Sequence, residues 1–161
     1  MPRLSDHDVT EAPVEAARER ARPVLLATLS VRVDPSAERM AVESALEAGA
    51  PLIVANMLYL PLSPTTLVLH GLSGATLPHE EDLDAVRATA NRAAALGIET
   101  QLLRVSSRRP VKALLELVVQ ADAGLLVFGP DMQRTRRRTF SRAARRVREQ
   151  APCLVWIAPD G

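Results

Sequence analysis

Apolar residues follow two alternating patterns along this chain. Short unbroken apolar runs are separated by longer stretches in which apolar positions recur every three or four residues. The runs are Val24–Leu29, Leu52–Leu58, Ile98–Val105, Gly124–Gly129 and Cys153–Ala158. A run without polar alternation predicts a strand buried on both faces. The third run is interrupted by polar residues, which predicts a place nearer a sheet edge. Between the runs, Asp34-Pro35 predicts an N-cap followed by the first helical residue. Ala37, Met40, Ala41, Ser44, Ala45 and Ala48 then keep helical spacing up to a stop at Gly49. A second helix carries Leu83, Val86, Ala90, Ala93 and Ala94 and closes at Gly97; a third opens at Pro110 and carries Val111, Leu114, Leu115 and Val118. Phe140, Ala143, Ala144 and Val147 mark a fourth.

The resulting order, βαβαβαβαβ, predicts an α/β fold with a parallel sheet covered by helices on both faces. Right-handed crossovers leave few topologies for it. Residues 1–21 are polar and predict an arm, flexible or partly helical, ahead of a single domain over 22–161. The connection 59–78 holds prolines at 61, 64 and 78 and glycines at 71 and 74. Its Leu67-Val68-Leu69 reads as a short extra strand or an apolar plug.

Composition narrows the class further. With 47% hydrophobic and 24% charged residues the chain is globular, and a net charge of +1 selects no partner class. One cysteine, Cys153, excludes an internal disulfide and is expected to be an inert core residue in the last strand. No apolar run approaches the roughly 20 residues of a membrane span, and residues 1–20 lack a signal peptide's apolar core. A cytoplasmic protein is therefore expected.

The late segment Ala123-Gly124-Leu125-Leu126-Val127-Phe128-Gly129, a loop, a helix and then Ala151-Pro152-Cys153-Leu154-Val155-Trp156-Ile157 resembles the closing pattern of the universal stress protein family. The resemblance extends in order and spacing from about Arg22 to Pro159. It implies a Rossmann-like, adenine nucleotide alpha hydrolase-like fold whose open five-stranded parallel sheet has the order 3-2-1-4-5. Ligands of such sheets sit beside the point where strand order reverses, here between strands 1 and 4. The candidate pocket is then bounded by Thr28, Leu29 and Ser30 on one side. Gly129, Met132, Arg136, Arg137, Arg138, Ser141 and Arg142 bound it on the other.

Nucleotide-binding members of that family end their first strand in an aspartate and carry G-x2-G-x9-G-[S/T] after the fourth. This sequence departs from both: Leu29 stands at the aspartate position, and Asp34 comes too late to replace it. Gly129 matches the first glycine, but Met132 stands at the second. Counting back from Ala151-Pro152-Cys153, Ser141 stands at the third and Arg142 at the hydroxyl position. The expectation is a regulatory or binding protein that does not take ATP in the family's usual mode.

Two alternatives use the arginines from Arg134 to Arg148. They can stand in for the missing glycine N–H groups and bind ATP, AMP or another phosphate-bearing ligand, or they can contact nucleic acid or an acidic protein. A plainly solvated helix face also accounts for them. No DNA-binding motif and no aromatic stacking platform accompanies the cluster, so nucleic acid is not the expected partner.

His7, His70 and His79 have no metal-ligand spacing, so no metal is expected. His79-Glu80-Glu81-Asp82 is explained by the dipole of the helix it opens. Ser30, Ser73, Ser106 and Ser107 lack a nucleophile-elbow context, and no pair of residues argues for catalysis. Gly71-Leu72-Ser73-Gly74 reads as a turn. In the implied order the last strand lies at an edge and is uncharged, a liability unless another chain pairs with it. Leu154, Val155, Trp156 and Ile157 are therefore the expected interface of a homodimer, the assembly the family resemblance also implies.

Overall fold

The structure, a computed structural model, describes residues 21–60 and 80–158. Its elements run β1 (Val24–Leu29), α1 (Pro35–Ala48), β2 (Leu52–Tyr59), α2 (Glu80–Ala95), β3 (Thr100–Ser107), α3 (Pro110–Gln120), β4 (Leu125–Phe128), α4 (Arg137–Gln150) and β5 (Leu154–Ile157). All strand pairings are parallel and the sheet order is β3-β2-β1-β4-β5, as the sequence pattern and the resemblance predict. Residues 1–20 of the expected arm, the Leu67–Leu69 strand, the Gly71–Gly74 turn and the three histidines lie outside the described residues.

β1 shows why an unbroken apolar run folds as it does. It lies between β2 and β4, so both of its faces are covered. Val24 and Leu26 point to α1 and α2, and pack with Ala37, Ala41, Val54, Val86 and Ala90. Leu25 and Ala27 point to α3 and α4, and pack with Leu114, Val118, Phe128, Phe140 and Val147. Leu25 and Leu26 are fully buried, and each contributes about 1.5–3 kcal/mol of burial free energy. The polar third run becomes the edge strand β3. It starts at Thr100 rather than Ile98, because Ile98 is spent on the turn out of α2, its N–H donating to the Ala93 carbonyl.

Local signals set the helix ends. Asp34 caps α1, its carboxylate accepting from the Ser36 N–H at 2.8 Å and from the Ser36 hydroxyl. Gly49 ends α1 in the left-handed region at φ 59°, where glycine meets no steric penalty. Cys153 differs from expectation. It precedes β5 instead of entering it and is only half-buried, because the strand pairs from Leu154 onward. Burial still pushes its thiol pKa upward, which keeps it protonated and unreactive.

Candidate functional site

The reversal of strand order falls between β1 and β4, and the loops leaving these strands are tied together there. Thr28, fully buried, donates its hydroxyl to the Val31 carbonyl at 2.6 Å and turns the chain out of β1. Ser30 takes a left-handed φ of 58°, unusual for a residue with a Cβ. Its N–H donates to Asn56 Oδ1 at 3.2 Å and its hydroxyl to the Met57 carbonyl at 3.3 Å. The chain then pairs with the loop after β4. Val33 bridges Pro130, the Asp34 N–H donates to the Gly129 carbonyl at 2.9 Å, and the Asp131 N–H donates to the Arg32 carbonyl at 3.0 Å. At this point the backbone groups of the two loops face each other.

Gly129 has a packing reason of its own. A Cβ on it would lie 2.1 Å from the Ala37 Cβ and 3.2 Å from the Ala158 Cβ. Only glycine lets α1 approach the end of β4 this closely, with or without a phosphate. Asp34 is likewise committed, as the cap of α1.

Beside this junction lies a cluster that reasoning from the sequence missed. Asp82, in the first turn of α2, has only 2% of its side chain exposed. Its Oδ1 accepts from the Arg32 backbone N–H and from Arg32 Nε, both at 3.2 Å, and its Oδ2 accepts from Arg134 Nη1 at 3.0 Å. Glu81 adds a 2.7 Å contact from Arg32 and a 3.5 Å contact from Arg134. The Arg32 hydrogen bond, followed by the Arg134 charge, holds the Glu81 carboxyl below its ordinary range, and the Glu81 and Asp82 contacts raise Arg32. One arginine from the β1–α1 loop and one from the β4–α4 loop thus converge on a carboxylate of the same chain. The sequence held one signal. Asp82 stands on the stripe Asp82-Val86-Thr89-Ala90-Ala93, all buried, whereas a carboxylate serving only the helix dipole has no need to face the core.

Thr28, Ser30 and Gly129 of the expected site thus meet at the junction, and the remaining expected residues are dispersed. Leu29 and Met132 pack against the core beneath α3 and α4. Arg136, at the N-cap of α4, and Arg137 and Arg138 in its first turn are exposed. Ser141 lines a groove of about 570 Å³ with Ala144, Arg145, Arg148 and Ile157, along β5 rather than β1. Arg142 is exposed on α4. A second groove, of about 530 Å³, runs between α1 and α2. Its floor is closed by Arg92, which forks onto Glu38 at 2.6 and 2.7 Å while Thr89 donates to Glu38 at 2.8 Å. These contacts, Arg92 foremost, hold the Glu38 carboxyl below its ordinary value against the opposing effect of burial. Among the described residues no group of three or more His, Cys, Asp or Glu side chains is placed to hold a metal, and no helix is long and apolar enough to cross a membrane.

The family model described as the universal stress protein family matches residues 20–159. Solved structures agree with the fold. UspA from Lactobacillus plantarum superposes with a TM-score of 0.63 at 20% identity, covering 86% of this chain and 97% of the other. A universal stress protein in complex with cAMP gives 0.58 at 24%, covering 87% and 98%. The Archaeoglobus fulgidus protein in complex with dAMP gives 0.53 at 22%, covering 84% and 95%. No curated protein sequence matches the chain significantly.

Proposed function

Because the chain belongs to the universal stress protein family, we propose that it is a regulatory or binding member that does not take nucleotides in the glycine-loop mode. The observation that carries this reading is the tied junction. The Asp34–Gly129 and Asp131–Arg32 hydrogen bonds tie the two loops to each other, and Asp82 engages Arg32 and Arg134. A phosphate entering there must break these contacts and approach two carboxylates. Relatives of this fold bind cAMP and dAMP, so nucleotides are the ligands to test. Equilibrium dialysis with labelled ATP, AMP and cAMP is expected to show no saturable binding.

A second reading rests on a separate observation. The N-terminus of α4 has no side-chain cap, and the Thr135 Oγ1 beside it is buried with no hydrogen-bond partner among the described residues. A nucleotide phosphate held there by Arg136, Arg137 and Arg138 would satisfy both. Saturable binding that disappears on neutralising these three arginines favours this reading; saturable binding that survives their loss overturns both.

The proposed assembly is a homodimer through β5. This strand lies at the sheet edge and Leu154 is 75% exposed, so an isologous β5 pair would cover an apolar edge. Light scattering should give twice the chain mass at tens of micromolar, falling to the chain mass in Trp156→Lys. A monomer throughout overturns the assembly.

A further inference from the structure

We infer that the outward face of α4 is a docking surface for the phosphate backbone of double-stranded nucleic acid, independent of any nucleotide at the β1–β4 junction. Eight arginines stand between Arg134 and Arg148, and Glu149 is the one acidic residue among positions 134–150. The chain as a whole carries only +1, so the charge is concentrated on this segment and reversed elsewhere. Arg134 is held by Asp82 and Arg145 by Glu149. Arg138, Arg142 and Arg146 are exposed and make no ion pair among the described residues. They stand opposite the buried stripe of Phe140, Ala143, Ala144 and Val147. At 1.5 Å per residue they are spaced about 6 Å apart along one line. Duplex nucleic acid offers about one phosphate charge per 1.7 Å of its axis, so such a line can meet several phosphates at once.

The N-terminus of the helix is not built for its own stability. Its first turn holds no acidic residue, its N-cap is Arg136 without a cap hydrogen bond, and Arg137 and Arg138 follow at the positive end of the dipole. Cations there are unfavourable. A sequence that sets local charge against local structure commonly does so at a functional surface.

The rest of the helix favours a duplex over the other polyanions. The apolar stripe of α4 is buried against the sheet, so nothing is left on it to insert into a lipid surface. Phe140 stacks on Phe128 in the core, with ring centroids 5.9 Å apart, so α4 offers no aromatic ring to the unstacked bases of a single strand. What remains is a row of guanidinium groups carried on a helix, which suits phosphates already displayed on the outside of a duplex.

Fluorescence anisotropy with two 20-base-pair duplexes of unrelated sequence tests this, using the full chain between 50 and 200 mM salt. Contact with about four phosphates gives a log–log salt slope near −3.6, about a 150-fold loss across that range, with little difference between the sequences. Arg138→Gln/Arg142→Gln/Arg146→Gln is expected to weaken binding at least 30-fold at 50 mM salt and to reduce the slope to about −1. A control triple, Arg39→Gln/Arg87→Gln/Arg104→Gln, makes the same change in net charge at exposed sites elsewhere and is expected to change binding less than threefold. No binding at 50 mM salt overturns the proposal. So does an equal loss in the control triple, or tighter binding to anionic vesicles or polyglutamate than to either duplex.

Discussion

Arg32 and Arg134 at the β1–β4 junction each end on carboxylates, one of them almost wholly buried. A few residues further along the chain, on α4, Arg138, Arg142 and Arg146 meet none among the described residues. The two groups are chemically identical, and Arg134 lies only four residues before Arg138 in the sequence. What separates them is α2, which delivers Asp82 and Glu81 to the junction and nothing to α4. An arginine becomes structural when a distant element brings it a carboxylate, and otherwise stays available to a partner. The junction is therefore the closed half of this end of the molecule and α4 the open half.

Breaking the closed half should cost the most. Gly129→Ala drives a Cβ into Ala37, and we expect a loss of about 3 kcal/mol in urea unfolding, at the upper end of the range for overpacking. Asp82→Asn removes the charge that both arginines seek while keeping the side chain's shape. The expected loss is about 2 kcal/mol, moderated because the Arg32 and Arg134 side chains are 32% exposed and can turn to water. In a double-mutant cycle with Arg134→Gln, the two changes should be clearly non-additive.

The Glu38–Arg92 pair is an intermediate case, with Glu38 only 20% exposed. Its carboxyl titrates below the ordinary value of 4.5 in the folded chain. The pair's contribution is thus complete above that value and fades as pH falls through the lower, folded one. Glu38→Gln should remove about 1–2 kcal/mol at neutral pH and flatten the acid limb of the stability curve.

The open half should respond oppositely. Arg136→Asp supplies the cap that α4 lacks and removes a cation from its positive end, so unfolding should become harder by about 1 kcal/mol. The Arg138/Arg142/Arg146 triple should leave stability within about 0.5 kcal/mol. Equal destabilisation by this triple and by Asp82→Asn would erase the distinction between the halves.

The fold was legible because its signals are local. Asp34-Pro35 starts α1, Gly49 ends it, and unbroken runs mark strands covered on both faces. The disposition of the site was not, because it depends on contacts across about fifty residues of chain. Arg32 with Asp82 and Arg134 with Asp82 join three segments that sequence spacing treats as unrelated. Gly129 was legible as a match to the first glycine of the family's loop, but its packing against Ala37 follows from how α1 crosses the sheet, which no spacing encodes. Asp82 came closest to being readable, since its place on an apolar stripe already set it apart from Glu80 and Glu81.

The junction is filled by the chain's own side chains and loops. The most direct measurement is thermal unfolding of the wild-type protein with rising ATP, AMP and inorganic phosphate. A ligand confined to the folded state adds about 2.7 kcal/mol at 100 times its dissociation constant, several degrees for a domain of this size. A filled junction should leave every midpoint unmoved at millimolar ligand. A dose-dependent rise with ATP, not reproduced by phosphate and retained when Arg136, Arg137 and Arg138 are neutralised, would contradict it, because the nucleotide would then have to lie in the junction described as closed.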